Sequence, residues 1–368
     1  MSDFETINSV GAFLRIVKHF YPKNEPAFFR GQGSSKHDVN ASFYRLLEKN
    51  DYTSFDTTYP YQLARALFNE FKKNMPTYEE VHSLKSYKLN DLDLMMVAQH
   101  YGLETRLVDW SKNPLVALYF ATERAKEDRD CSVFMYYNTP DNITISIANS
   151  DTFTASVRDE QVRLQEIRKL VDDRFNSAID YQLLDAIHGI VDKSTSPEFL
   201  IPPVKINPDL IALNFMQIAG TLQGKPAHKM RNFLDKEVVN SVAPLSAVTI
   251  HSSTNYIIEP LPLNPRIKNQ QGVFLFSKDI TQPVFRAMDF TCQNTIVSAD
   301  PVSLAEKDGS MGVLRIDIPG ALGIEIQREL NLYGVTKDFI YPELTSFTEV
   351  MRNRIVDKTN SAMRRVVY

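Results

Sequence analysis

Residues 99–120, QHYGLETRLVDWSKNPLVALYF, constrain the fold more than any other stretch of this chain. A helical pattern, LNDLDLMMVAQHYG, starts at Asn90 as its cap and stops at Gly102, where glycine takes the left-handed backbone that closes a helix. Thr105 to Val108 then reads as a short strand. Asn113 caps a second helix, and Pro114 occupies its first position, where the missing N–H costs nothing. Ser132 to Tyr137 follows as a strand by β-propensity. A helix, a strand, a capped apolar helix and a strand in such close succession require a sheet with helices packed on it.

The remaining segments extend that plan. Ser2 is the expected cap of a first helix carrying Phe4, Ile7, Phe13, Leu14, Val17 and Phe20 at helical spacing. Pro26 to Phe29 reads as a short buried strand that delivers Arg30 to its end. A helix is expected over Tyr61 to Asn74, closed by Pro76. Ile143 to Ile147 is read as the hairpin partner of the strand at Ser132. Residues 156–236 are charged, helical in pattern and interrupted by prolines, so they read as a helical insertion. Strands resume at Asn255–Glu259, Gly272–Ser277 and Val313–Ile318. A helix from Leu322 to Tyr333 ends at Gly334, and YPELTSFTEVMRNRI closes the chain as another. The expected fold class is α+β: one domain over 1–368, with a split, strongly twisted mixed sheet surrounded by helices.

Composition excludes several function classes. A net charge of -4 rules out a whole-chain basic field for nucleic acid and leaves a local basic groove as the alternative. The 2 cysteines, Cys131 and Cys292, form neither a CxxC pair nor a disulfide framework, which fits a reducing cytosol. The N-terminal MSDFETINSVGAFLRIVKHFY lacks the basic and apolar blocks of a signal peptide, and no apolar run is long enough for a bilayer. The expectation is a soluble cytoplasmic protein with no membrane partner.

Two stretches carry candidate chemistry. AFFRGQGSSKHD, from Ala27 to Asp38, looks like a phosphate loop but has neither G-x-x-x-x-G-K-[ST] nor G-x-G-x-x-G spacing. Its chemically interesting residue is Arg30, whose guanidinium at a strand end can grip a phosphate with two parallel hydrogen bonds. The competing reading pairs Arg30 with an aspartate at the core edge. In the second stretch, Trp110 is the candidate wall of a ligand pocket, with Asp109 and Ser111 at its rim. The structural alternative makes Trp110 core and leaves His100 and Arg106 as loop braces, since a helix C-terminus favours a histidine there anyway. No histidine set has metal-ligand spacing, and no G-x-S-x-G elbow is present.

Taken together, FFRGQ, ASFYRLL, QHYGLETRLVDWSKNPLVALYFAT, RIKNQQGVFLF and GVTKDFIYPELTSF resemble the FRG domain family, named for the signature at Phe29-Arg30-Gly31. The resemblance spares the stretches near 48–88 and 150–250. The order of the pieces is also similar, more weakly, to ADP-ribosyltransferases of the Arg-Ser-Glu type. That likeness implies an ADP-ribosyltransferase-like sheet and NAD as substrate. Arg30 then clamps the diphosphate, with Gly31 and Gln32 beside it. Ser111 fixes the ribose or the strand that shapes the pocket, and Trp110 or Tyr101 walls the nicotinamide. The family's third motif carries a glutamate, where this chain has Gln270 and Gln271. Glutamine bonds a hydroxyl but cannot act as a base. Asp109, or alternatively Glu343, then supplies the carboxylate. The resemblance further implies a toxin-like effector in bacterial phage defence or a toxin–antitoxin pair, an antitoxin or other regulatory protein as partner, and an RNA, other nucleic acid or protein acceptor. Lys225, His228, Lys229, Arg231 and Phe233 suit RNA contact, although a solvated face explains them as well. The other function class is a non-catalytic FRG module that binds a nucleotide or a partner chain.

Overall fold

The computed structural model describes residues 6–23, 25–54, 58–173, 245–248, 250 and 254–366. In chain order the elements are α1 (Val10–Phe20), β1 (Ala27–Gln32), α2 (Ser42–Lys49), α3 (Thr58–Asn74), α4 (Asp91–His100), β2 (Leu107–Ser111) and α5 (Pro114–Thr122). They continue with β3 (Cys131–Tyr137), β4 (Ile145–Asn149), α6 (Ser150–Asp173), β5 (Asn255–Glu259), α7 (Pro265–Asn269), β6 (Gly272–Phe276), β7 (Thr295–Ile296), α8 (Pro301–Ala305), β8 (Val313–Ile318), α9 (Gly323–Leu332), α10 (Lys337–Ile340) and α11 (Leu344–Val366). The capping logic read from the sequence governs the central unit. Asn90 accepts from the amides of Leu92 and Asp93 in a full capping box, and Asn113 accepts from Leu115 with Pro114 at the first helical position.

The strands form one mixed sheet of eight, in the order β4-β5-β6-β2-β1-β3-β8-β7. Most pairs are antiparallel, and the two edge pairs, β4 with β5 and β7 with β8, are parallel. The centre of the sheet is its weakest seam. β1 is paired to β3 along its whole length, but meets β2 only at Phe29 and Ser111. The sheet therefore falls into two four-stranded halves, joined at one ladder pair.

Alternation along the strands gives each face its own core. On one face, α1, α5 and α9 cover Phe29, Val133, Met135, Leu314 and Ile316 of the β1 half. On the same face α4 and α6 cover Leu107, Phe274, Phe276 and Tyr256 of the β2 half. The opposite face is a third cluster of Phe28, Val108, Trp110, Phe134, Tyr136, Ile257 and Leu275. The sheet curls around that cluster. The far edge returns far enough for Asn255 of β5 to donate to the Tyr136 hydroxyl at 2.8 Å, and for that hydroxyl to donate to the Thr144 carbonyl at 3.0 Å.

Several expectations are corrected. Ser9, not Ser2, caps the first helix, its hydroxyl accepting from the Ala12 amide, and Ser2 lies outside the described residues. The segment at Ile143 is no hairpin partner of β3. Asn138 accepts from the amides of Thr144 and Ile145, and this turns the chain away so that β4 pairs in parallel with β5 at the far edge. The strand expected at Thr105–Val108 runs from Leu107 to Ser111, because Thr105 and Arg106 are occupied in holding neighbouring loops. The helical pattern read at the start of 156–236 belongs to α6, which begins earlier, at Ser150 on the core, and continues to Asp173. The rest of 156–236, including the RNA-contact candidates from Lys225 to Phe233, lies outside the described residues.

The candidate functional site

The seam between β1 and β2 opens a cleft of about 340 Å³ on the helix-covered face. That volume falls within the range of small-molecule sites. Its walls are α5 on the β1 side, and the end of α4 with α7 on the β2 side.

The signature Phe29-Arg30-Gly31 divides three tasks among three consecutive residues. Phe29 is fully buried under α1 and α5. Gly31 lets α5 lie against the strand so closely that its backbone occupies the space of a Cβ. Arg30 alternates onto the curled face, opposite Phe134. Past the single β1–β2 pair its guanidinium reaches into the gap and lines the cleft, donating through Nη1 to the backbone carbonyl of Asp109. Its Nε is buried with no hydrogen-bond partner, and among the described residues no carboxylate forms an ion pair with it. Burial lowers its pKa to about 10. The charge of Asp109 opposes that fall, and Arg45 adds to it. The guanidinium stays charged at neutral pH, desolvated and short of partners, which is the state of an anion-binding group.

Asp109 is the only carboxylate among the described residues lining the cleft. Its Oδ1 accepts from Gln99 Nε2 at 2.8 Å, and the Gln99 oxygen in turn accepts from the Thr105 hydroxyl, which fixes the amide's orientation. Arg30 holds the Asp109 backbone, Gln99 holds the carboxylate, and the second carboxylate oxygen remains available to a ligand. The aspartate partner foreseen for Arg30 is thus present through its main chain only.

The other expected residues take different places. Ser111 is buried at the cleft, where its hydroxyl donates to the Gln270 carbonyl at 2.7 Å and accepts from the Asn113 amide at 2.9 Å. With its proton committed, it shapes the strand end. The Trp110 ring packs against Tyr136 and Phe285 on the opposite face, so the cleft meets Trp110 from behind. Tyr101 is half exposed beside an adjoining hollow. Gln32 turns away and donates to the Asp38 carbonyl at 3.0 Å. Gln271 has φ 47° at the tight turn into β6 and does not line the cleft, whereas Gln270 does. The Gln270 amide donates to the Ile340 carbonyl at 2.9 Å. Glu343 is exposed, and its charge acts on His100 at the rim.

Arg106 is a brace, as its alternative reading held. It is fully buried and donates to the carbonyls of Leu245, Val248, Ser277 and Lys278. Two polar cleft residues, Gln99 and Arg266, have no role in the sequence reading. Arg266 heads RIKNQQG, four residues before the first of its two glutamines. His100, read there as a brace, also lines the cleft.

Residues 25–130 match the FRG domain. The chain carries an FRG domain. It runs from β1 to α5 and ends where β3 begins, so it supplies Arg30, Gln99, His100, Asp109 and Ser111 of the cleft, while Arg266 and Gln270 come from beyond it. No curated protein and no solved structure matches the chain. Among the described residues no group of His, Cys, Asp and Glu is arranged to hold a metal ion, and no helix is long and apolar enough to cross a membrane.

Proposed function

We propose that the cleft binds NAD and transfers its ADP-ribosyl group to a nucleic acid or protein acceptor. The protein then acts in the cytoplasm as a toxin-like effector, in phage defence or a toxin–antitoxin pair, restrained by a partner protein. One observation carries this reading: Arg30, a desolvated and under-partnered guanidinium, opens into the same cleft as the positioned carboxylate of Asp109. The parting of β1 and β2 and the order of the motif-bearing pieces also support an ADP-ribosyltransferase-like core.

The chemistry assigns each group a task. Arg30 takes the diphosphate as a fork. The bond from nicotinamide to the ribose breaks with its electron pair leaving on the nicotinamide nitrogen, and positive charge develops on the ribose. Asp109, across the cleft, stabilises that charge. An acceptor oxygen or nitrogen forms the new bond to the ribose carbon, and its proton passes to the Asp109 carboxylate. Gln99 aims that carboxylate and is a positioning residue.

A second reading, a non-catalytic nucleotide-binding FRG module, is favoured by one fact: the third-motif region offers glutamines, and the Gln270 amide is already engaged by Ile340. Incubation with labelled NAD and total cell RNA, DNA or protein separates the two. Label transferred to one fraction, and lost in Arg30→Ala, supports the transferase. NAD binding with neither transfer nor nicotinamide release supports the module, and no NAD binding at all removes both NAD readings.

A further inference from the structure

Arg266 enters the cleft from the wall opposite Arg30. Its guanidinium stacks over the Tyr341 ring at 4.9 Å, and among the described residues it has no hydrogen-bond or ion-pair partner. Stacking fixes the plane of a half-buried guanidinium whose N–H donors remain unused. His100 lies beside it. Burial first, then the charge of Arg266, lower the His100 pKa against the opposing pull of Glu343, so the ring is neutral at neutral pH. Tyr101 meets His100 edge-on, with ring centroids 5.0 Å apart, and half of its surface is exposed. It flanks a small hollow of about 60 Å³ with Leu261, Leu263 and Ile267. That hollow shares Met96, His100 and Ile267 with the main cleft, so the two are continuous.

We propose that this rim is the acceptor subsite and that the acceptor is a single-stranded nucleic acid, with one phosphate on Arg266 and a base stacked in the hollow beside Tyr101. The role of acceptor rests on the NAD reading above; the binding itself does not. The cleft offers two guanidinium groups on opposite walls against one carboxylate, which suits two anionic groups. Arg30 provides for one of them and Arg266 for the other. An acidic peptide would satisfy Arg266 but would leave the apolar hollow empty, whereas an unstacked base fills it and a neutral imidazole can bond the base edge. A duplex keeps its bases stacked and presents none to the hollow. Glu80 in the hollow and Glu343 near His100 limit how far a phosphate chain can run, so the footprint is short.

The test is fluorescence anisotropy of a labelled mixed-sequence ten-nucleotide RNA with the full chain, without NAD. A DNA strand of the same sequence and a duplex serve as further probes. Wild type should bind the single strands, with either sugar supporting the subsite, and binding should weaken as salt rises. Arg266→Ala should weaken it about tenfold, the loss of one charge-assisted contact. Tyr101→Ala should weaken it about fivefold or more through lost stacking. Arg266→Lys, which keeps charge and loses the fork, provides a second variant if the alanine variant fails to melt cooperatively. No binding by wild type, binding by the Arg266 variants as tight as that of wild type, or a preference for duplex or acidic peptide would overturn the proposal. Calorimetry with NAD on the same proteins keeps the two readings apart. RNA binding without NAD binding sinks the transferase alone, and NAD binding without RNA binding sinks this subsite alone.

Discussion

Adding one methyl group at Gly31 would place a Cβ 2.0 Å from the Ala117 carbonyl oxygen and 2.5 Å from the Ala121 amide nitrogen. Both are backbone atoms of α5, so no rotamer change relieves the clash and the helix has to move. Gly31→Ala is expected to cost about 3 kcal/mol, the upper range for overpacking, measured by urea unfolding. Because α5 is a wall of the cleft, ligand binding should fall with it. A variant as stable as wild type would mean that α5 is not held against β1. His100 offers a second residue-scale check. Its folded pKa lies below the ordinary imidazole value, so the unfolded chain binds more protons and stability falls as pH drops below about 6.5. Arg266→Ala removes the second cause of the shift and should move the His100 titration upward by NMR, whereas Glu343→Gln removes an opposing charge and should move it downward. An unmoved titration in both variants would separate His100 from the rim cluster.

At the scale of elements, α11 and Arg106 make contrasting cases. α11 is tied to α10 by the Lys337–Glu349 ion pair, but from Met351 to Asn360 every residue is exposed, so the helix leaves the body after Val350. Deleting residues 351–368 should therefore change the melting temperature by less than about 2 °C, the size expected for a surface change. A larger drop would mean that α11 packs on the body in solution. Arg106 is the reverse, one side chain tying β2 to the segments at Leu245 and Ser277. Arg106→Leu should cost about 3–5 kcal/mol, since four carbonyl groups lose their donor inside the core. The sequence shows elements governed by local chemistry and hides those set by distant partners. The caps at Asn90 and Asn113 and the strand at Val313 were legible because each depends on its own neighbours. The β4–β5 pairing was not, because Asn138 sets it through a turn and the partner strand comes more than a hundred residues later. Within the cleft, Arg30 was legible from its place after a short buried run and Asp109 from the dense segment it shares with Trp110. Trp110 was misleading because β2 has two buried faces, and hydrophobicity alone does not say which face the ring takes. Arg266 stayed hidden because its use depends on Tyr341, a contact between segments far apart in sequence.

For the molecule as a whole, the seam between the half-sheets is the feature that joins stability to function. β4-β5-β6-β2 and β1-β3-β8-β7 have separate helix-side cores, and between them stand one ladder pair, the curled core behind, and the Arg30 bond to the Asp109 carbonyl. A ligand seated on Arg30 and Asp109 contacts both halves at once, so binding should close the seam. Hydrogen exchange can read this directly. In the free protein, the seam-facing amides of β1 and β2 should exchange with far less protection than those between β3 and β8, since they open without global unfolding. Saturating NAD should slow the seam amides and leave the β3–β8 ladder unchanged, and Arg30→Ala should abolish that slowing. Protection at the seam equal to that of β3–β8 without ligand would show the half-sheets to be locked already. Slowing that persists in Arg30→Ala would move the ligand away from the guanidinium and out of the cleft.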